Sequence, residues 1–119
     1  MTKILIVEDN DMNRDMLSRR LARNGYDIEV AVNGVEALLL AASTSPDIIL
    51  MDMSLPVMDG WEATRKLKEN QATRQIPVVG LSAHARDIDI IKGLEAGCDA
   101  YETKPIDMPR LLAVIISLV

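Results

Sequence analysis

The chain alternates short, unbroken apolar runs with longer stretches in which apolar residues recur at helical spacing. Ile4-Leu5-Ile6-Val7 is the first run. It is too short for a buried helix and shows no polar alternation, the pattern of a strand covered on both faces. Asn10 or Asp11 can cap a helix reaching about Asn24, with Gly25 just past its end. Residues 27–32 predict a second strand, with β-branched Ile28, Val30 and Val32 at period two. Asn33 opens a second helix in which Val35, Leu38, Leu39 and Ala42 keep helical spacing, and Pro46 ends it. Ile48-Ile49-Leu50-Met51 is a third buried strand ending at Asp52, and a loop with Pro56 and Gly60 leads into a helix over about 61–70. Residues 77–81 predict a fourth strand ending at Ser82, followed by a helix over 87–96 that Gly97 closes. A short fifth strand covers 101–103, and Asp107 caps a last helix.

This order is a strand followed by a helix, five times over. Parallel strands joined by helical crossovers predict an α/β domain, a doubly wound five-stranded parallel sheet of (βα)5 form. With 119 residues and no repeat, linker or low-complexity segment, the expectation is one domain over 1–119 with nothing appended.

Composition narrows the chemistry. Aromatics are limited to Trp61, Tyr26 and Tyr101, so the core is built from branched aliphatics and seven Met. The net charge of −5 argues against nucleic acid as a direct partner, because neutralising phosphates needs a basic face. A single Cys excludes an internal disulfide or a Cys-based zinc site, and a single His removes most His-ligated metal schemes. The longest apolar runs are far short of a membrane span, and the N-terminal one is too short for a signal peptide. A soluble, cytoplasmic protein is expected.

In an open parallel sheet, ligands bind beyond the carboxyl ends of the strands. The residues there are Glu8 and Asp9 after the first strand, Asp52 after the third, Ser82 and His84 after the fourth, and Lys104 after the fifth. Clustered carboxylates repel one another unless a cation joins them, and a hard divalent ion such as Mg²⁺ suits an oxygen-only site that keeps several waters. The same ion would neutralise charge on an incoming phosphoryl group. On that reading Asp52 attacks phosphorus and becomes an acyl phosphate, while Lys104 and the Ser82 hydroxyl hold its oxygens.

Four motifs, Ile6-Val7-Glu8-Asp9-Asn10, Asp52-Met53-Ser54-Leu55-Pro56-Val57-Met58-Asp59-Gly60, Leu81-Ser82-Ala83-His84 and Tyr101-Glu102-Thr103-Lys104-Pro105, stand in fixed order and spacing. With them the chain resembles a response-regulator receiver domain over essentially its whole length. The resemblance implies a flavodoxin-like receiver fold acting as a signalling switch in a two-component phosphorelay. Asp52 would be the phospho-acceptor, charged by a sensor histidine kinase, a histidine phosphotransferase or a small phosphodonor. Glu8, Asp9, Asp52 and the Ser54 main-chain carbonyl would organise Mg²⁺. Ser82 would move toward the phosphate, flanked by Ala83, and Tyr101 would follow it inward as the switch aromatic. Lys104 would pair with the phosphoryl group, its bond to Pro105 would be cis, and Gly60 would be structural. Ser54 and His84 occupy the two positions at which the family tunes phosphate lifetime. Glu8 stands where many members have Asp, and Ser82 where Thr is commoner.

Other features carry weaker expectations. Arg19, Arg20 and Arg23 form a basic patch on the first helix, by default a solvated face, yet this helix borders the acidic pocket and could dock a kinase or phosphotransferase. Trp61 is expected as half-buried packing and Cys98 as a small buried residue. Ile88, Ile90 and Ile91 on the fourth helix, and Leu111, Leu112, Val114, Ile115, Ile116 and Leu118 on the last, exceed a single apolar stripe. Some should be exposed, which marks the face of helix four, strand five and helix five for target binding or self-association. Ala100 stands where DNA-binding members with this dimer mode carry an acid, so a transcription-factor dimer and direct DNA binding are not expected. Three other functions suit the residues less well. A haloacid-dehalogenase-type phosphatase wants a second acid two residues after the nucleophile, where this chain has Ser54. A flavin module needs a phosphate cradle where Glu8-Asp9-Asn10-Asp11 stands. A binding-only receiver would not need the full set of chemical residues, and every one is present. The sequence suits equally a stand-alone regulator and a segment of a larger protein such as a hybrid kinase.

Overall fold

In the computed structural model, residues 1–83 and 86–119 are described. Ten elements follow in strict alternation: β1 Lys3–Val7, α1 Asp11–Arg23, β2 Asp27–Ala31, α2 Gly34–Thr44, β3 Ile48–Asp52, α3 Gly60–Glu69, β4 Val78–Ser82, α4 Asp87–Ala96, β5 Ala100–Thr103 and α5 Met108–Leu118. The strands form one parallel sheet in the order β2-β1-β3-β4-β5. The chain winds outward from β1 to one edge and then, through β3, to the other, which is the doubly wound arrangement the alternation predicts.

Alternate residues along the central strands feed two separate cores. Leu5, Val7, Ile49 and Met51 join Ala37, Ala41, Ala63 and Leu67 on the α2 and α3 side. Ile4, Ile6, Ile48 and Leu50 join Leu17, Leu21, Leu111 and Ile115 on the α1 and α5 side. Both sets are buried, so β1 and β3 are apolar at nearly every position rather than at every second one.

Four of the five helices start on a side chain that accepts the N–H of the third helical residue: Asn10 from Asn13, Asn33 from Glu36, Asp59 from Glu62 and Asp107 from Arg110. Asn10 is therefore the cap of α1, and Asp11 lies in its first turn, ion-paired with Arg14. Helix α4 has no such cap; Arg86 at its start reaches forward to the Asp89 carboxylate instead. Four strand ends differ by a residue from the sequence pattern; β1 begins at Lys3 and β5 at Ala100, each one residue early. Val32 lies beyond β2, and β4 begins at Val78 because Pro77 has no N–H, although its carbonyl still accepts from Ile49 N at 2.9 Å.

Candidate functional site

The sheet brings the singled-out residues to one edge because parallel strands end together. Val7 pairs with Met51, Asp52 with Leu81 and Ser82 with Thr103, so the residues that follow β1 and β5 fall beside those that close β3 and β4. Glu8, Asp52 and Ser82 are buried, whereas Asp9 is exposed at the rim. One oxygen from each of Glu8, Asp9 and Asp52 lies within 4.8 Å of the others, the one such acidic cluster among the described residues.

Lys104 reaches into this cluster from the β5–α5 connection. Its Nζ donates to Glu8 Oε1 at 3.0 Å and to Asp52 Oδ2 at 3.2 Å. Burial opposes the charge on this ammonium, but the two carboxylates outweigh it and raise its pKa above the ordinary lysine value. The main chain fixes the remaining oxygens: Ser54 N donates to Asp52 Oδ1 at 3.0 Å and Asn10 N to Glu8 Oε2 at 3.3 Å. Arg14 Nη1 holds the Glu8 carbonyl at 2.9 Å. The Lys104–Pro105 peptide is cis, and Lys104 N donates to Ser82 O at 2.7 Å, which ties the lysine's backbone to the end of β4.

The β3–α3 loop is shaped by two backbone constraints. Gly60 N donates to Met53 O at 3.0 Å, and a Cβ on Gly60 would collide with the Asp52 carbonyl and lie 2.7 Å from Met53 Cα. Val57 sits at φ 69° in a tight turn in which Met58 N donates to Pro56 O at 2.7 Å. On the far side, Tyr101 packs its ring between β4 and α4; burial raises its pKa above the ordinary tyrosine value, and the Ser82 side chain opposes that rise.

Three carboxylates facing one ammonium leave negative charge in excess, and the donors are all hard oxygens. Such a set suits Mg²⁺, held through one or two carboxylates with several waters. Ser54 and Ala83 are exposed at the mouth, and His84 lies outside the described residues.

The sequence pattern did not single out one neighbour of the site. A cavity of about 430 Å³ opens between α1 and the β5–α5 connection, with Glu8 and Lys104 on one wall and Met16, Leu17, Leu81 and Ile106 on the others. Asn13 and Met16–Leu17 stand three and four positions apart on α1, a helix-face spacing that could have marked it had the opposing loop been known. Arg19, Arg20 and Arg23 are all exposed, but they lie in the second half of α1, beyond the residues that line the cavity, and Arg19 pairs with Asp15 at 3.0 Å.

A family model for the response regulator receiver domain matches residues 4–116. The chain belongs to that family. As a receiver domain it is similar to the polar-differentiation response regulator DivK of Brucella anthropi, 40% identical over 96% of this chain and 93% of DivK. It is also 37% identical to the DNA-binding transcriptional regulator RpaA of Synechocystis over 99% of this chain, which spans only 49% of RpaA. Among solved structures, the receiver domain of the sensor histidine kinase PA1611 from Pseudomonas aeruginosa superposes with a TM-score of 0.92 at 33% identity. The match covers 98% of this chain and 96% of that one, and that domain holds a magnesium ion in its active-site cleft. No helix among the described residues is long and apolar enough to cross a membrane.

Proposed function

We propose that this receiver domain is a phosphorylation-dependent switch of a two-component phosphorelay, with Asp52 as the phospho-acceptor. The observation that carries the reading is the Asp52 carboxylate beside Glu8 and Asp9, with the Lys104 ammonium 3.2 Å away. An Asp52 carboxylate oxygen attacks the phosphorus of a phosphohistidine. The new O–P bond forms as the N–P bond breaks, and the electron pair and a proton return to the donor imidazole. Mg²⁺, held by Glu8, Asp9, Asp52 and the Ser54 carbonyl, would neutralise the phosphoryl oxygens. Lys104 is placed to exchange its carboxylate contacts for a phosphoryl oxygen, and Ser82 to donate its hydroxyl to another. On this reading the domain is a phospho-acceptor switch, whose own chemistry is at most self-phosphorylation from small phosphodonors and autodephosphorylation.

The phosphodonor would be a histidine kinase or histidine phosphotransferase seated over the cavity beside α1, with the exposed arginines further along that helix available to it. Output would pass through the α4–β5–α5 face, where Ile88, Ile91 and Leu94 of α4 and Ile116 of α5 are exposed. That surface serves a protein target or a second copy of the chain. The acidic balance argues against DNA as a direct partner of this segment. Such a domain works in the cytoplasm, where these kinases deliver phosphate.

Intact mass after incubation with acetyl phosphate tests the reading, with Mg²⁺ or with excess chelator, for the wild type and Asp52→Asn. A single phosphoryl adduct that needs both the metal and Asp52 is expected. No adduct from either acetyl phosphate or a phosphorylated histidine phosphotransferase, under conditions that modify a control receiver, would overturn it.

A further inference from the structure

Two glycines on facing elements clear the space that the Tyr101 ring fills. A Cβ on Gly80, in the middle of β4, would lie 3.0 Å from Tyr101 Cδ2, and a Cβ on Gly93, in α4, would lie 2.7 and 2.8 Å from Cδ2 and Cε2. Real Cβ atoms do not tolerate the second pair, so the ring and a residue larger than glycine at 93 exclude one another. The third wall is Trp61, whose indole Nε1 is buried without a hydrogen-bond partner among the described residues and would be 3.8 Å from the same Cβ. Lys92 Nζ covers the outer face of that indole, 4.2 Å from its centroid.

Neither glycine is explained by its backbone. Both lie inside regular elements, Gly80 in a buried strand and Gly93 in the second half of a helix, and neither takes a positive φ. Glycine is among the poorest choices inside a helix or strand, so a packing requirement is the remaining physical reason for it.

We infer that Gly93, seconded by Gly80, is the positioning residue of Tyr101: the missing side chain on α4 creates the slot that admits the ring between β4 and α4, on the side of the sheet where β4 ends at Ser82. The size of residue 93 therefore determines whether Ser82 is linked to the α4–β5 surface. With any larger residue at 93 the ring swings outward about its Cα–Cβ bond, and the Ser82 end of the acceptor site loses its contact with that surface. The last step rests on the reading of Asp52 as the acceptor; the slot itself does not.

The test compares the wild type with Gly93→Ala. In the wild type, Tyr101 ring protons should show nuclear Overhauser contacts to the α-protons of Gly80 and Gly93, with Tyr26, the only other tyrosine, as internal control. Absence of those contacts overturns the inference whatever the variant does. In Gly93→Ala the Gly80 contact should be lost, and retention of it would overturn the inference. The substitution should raise Tm in a Tyr101→Ala background, where the slot is vacant and alanine is the better helix former, and a fall in Tm there would count against a role exerted through Tyr101. Acetyl phosphate should modify Gly93→Ala within about twofold of the wild-type rate, while the accompanying chemical-shift changes in α4 and β5 fall several-fold; unchanged shifts would overturn the link to Ser82. A wild type that takes no phosphate would sink the acceptor reading, and the ring contacts alone would then decide whether the slot exists.

Discussion

The Lys104 ammonium lies between two buried carboxylates, 3.0 Å from Glu8 Oε1 and 3.2 Å from Asp52 Oδ2, with 96 and 52 residues of chain separating the partners. It closes the sheet edge by joining the β5–α5 connection to the ends of β1 and β3. Removing one partner of a buried charge cluster costs more than the pair itself contributes, because the remaining charges stay desolvated. With Lys104 half-buried, Lys104→Met should lose roughly 1–3 kcal/mol at neutral pH. Mg²⁺ should raise the Tm of the variant more than that of the wild type, since it supplies the missing positive charge. Equal Mg²⁺ increments in thermal melts would contradict a shared role for the two cations.

The same group has a defined pH signature. Its pKa is raised above the usual 10.5, so the folded state holds the proton more tightly than the unfolded chain. The stabilisation is fully present below the unfolded value and is lost as pH rises through the folded one. The stability gap between wild type and Lys104→Met should therefore stay level from neutral pH to about 10 and narrow above it, as followed by denaturant melts across that range.

Much of this site was legible in the chain because parallel strands end on the same side of a sheet. Once the runs at 4–7 and 48–51 are recognised as buried strands, Glu8, Asp9 and Asp52 must meet, and no side-chain coordinate is needed to say so. The caps at Asn33 and Asp107 were legible for a similar reason, since each acts on an N–H three residues away; Asp59, which caps α3 in the same way, was not singled out. What escaped depends on elements far apart in sequence. The need for glycine at 93 appears only when β4, α4 and Tyr101 are brought together, and the apolar cavity beside Glu8 only when Ile106 is laid across Met16 and Leu17. The choice between Asn10 and Asp11 as cap turned on one hydrogen bond, Asn13 N to Asn10 Oδ1 at 2.9 Å.

Gly60 should be among the least replaceable residues of the β3–α3 loop. The two nearest atoms its Cβ would meet belong to the backbone of Asp52 and Met53, which cannot rotate aside as the Met53 methyl, 2.9 Å away, can. Gly60→Ala should cost about 2–4 kcal/mol, in the range of severe overpacking, and should disturb the Asp52 carboxylate through that residue's own carbonyl. Chemical denaturation would check the first point; a loss under about 1 kcal/mol would mean the loop can move away.

Cys98 should be inert in the native state. Burial pushes its thiol up to about 11, so at pH 8 the thiolate fraction is on the order of 0.1%. Its side chain is also largely out of reach of solvent. Iodoacetamide should label it at least a hundredfold more slowly in the folded protein than in denaturant, as read by intact mass. Comparable rates would mean that the α4–β5 connection opens on the timescale of the reaction.

Val57 offers the opposite case, a residue whose replacement should stabilise. Its side chain is 87% exposed, so it has almost no packing to lose. Its φ of 69° lies in the left-handed region, which costs a β-branched residue about 1–2 kcal/mol. Glycine adopts that conformation freely but loses more entropy on folding, by roughly 0.5–1 kcal/mol. The difference leaves Val57→Gly more stable by about 0.5–1 kcal/mol, or a few degrees in Tm for a chain of this size. Val57→Ala separates the two causes, because it removes the branched side chain yet keeps the Cβ that the turn disfavours. It should recover less than glycine does, and an alanine variant at least as stable as the glycine one would show that the turn carries no strain at this position.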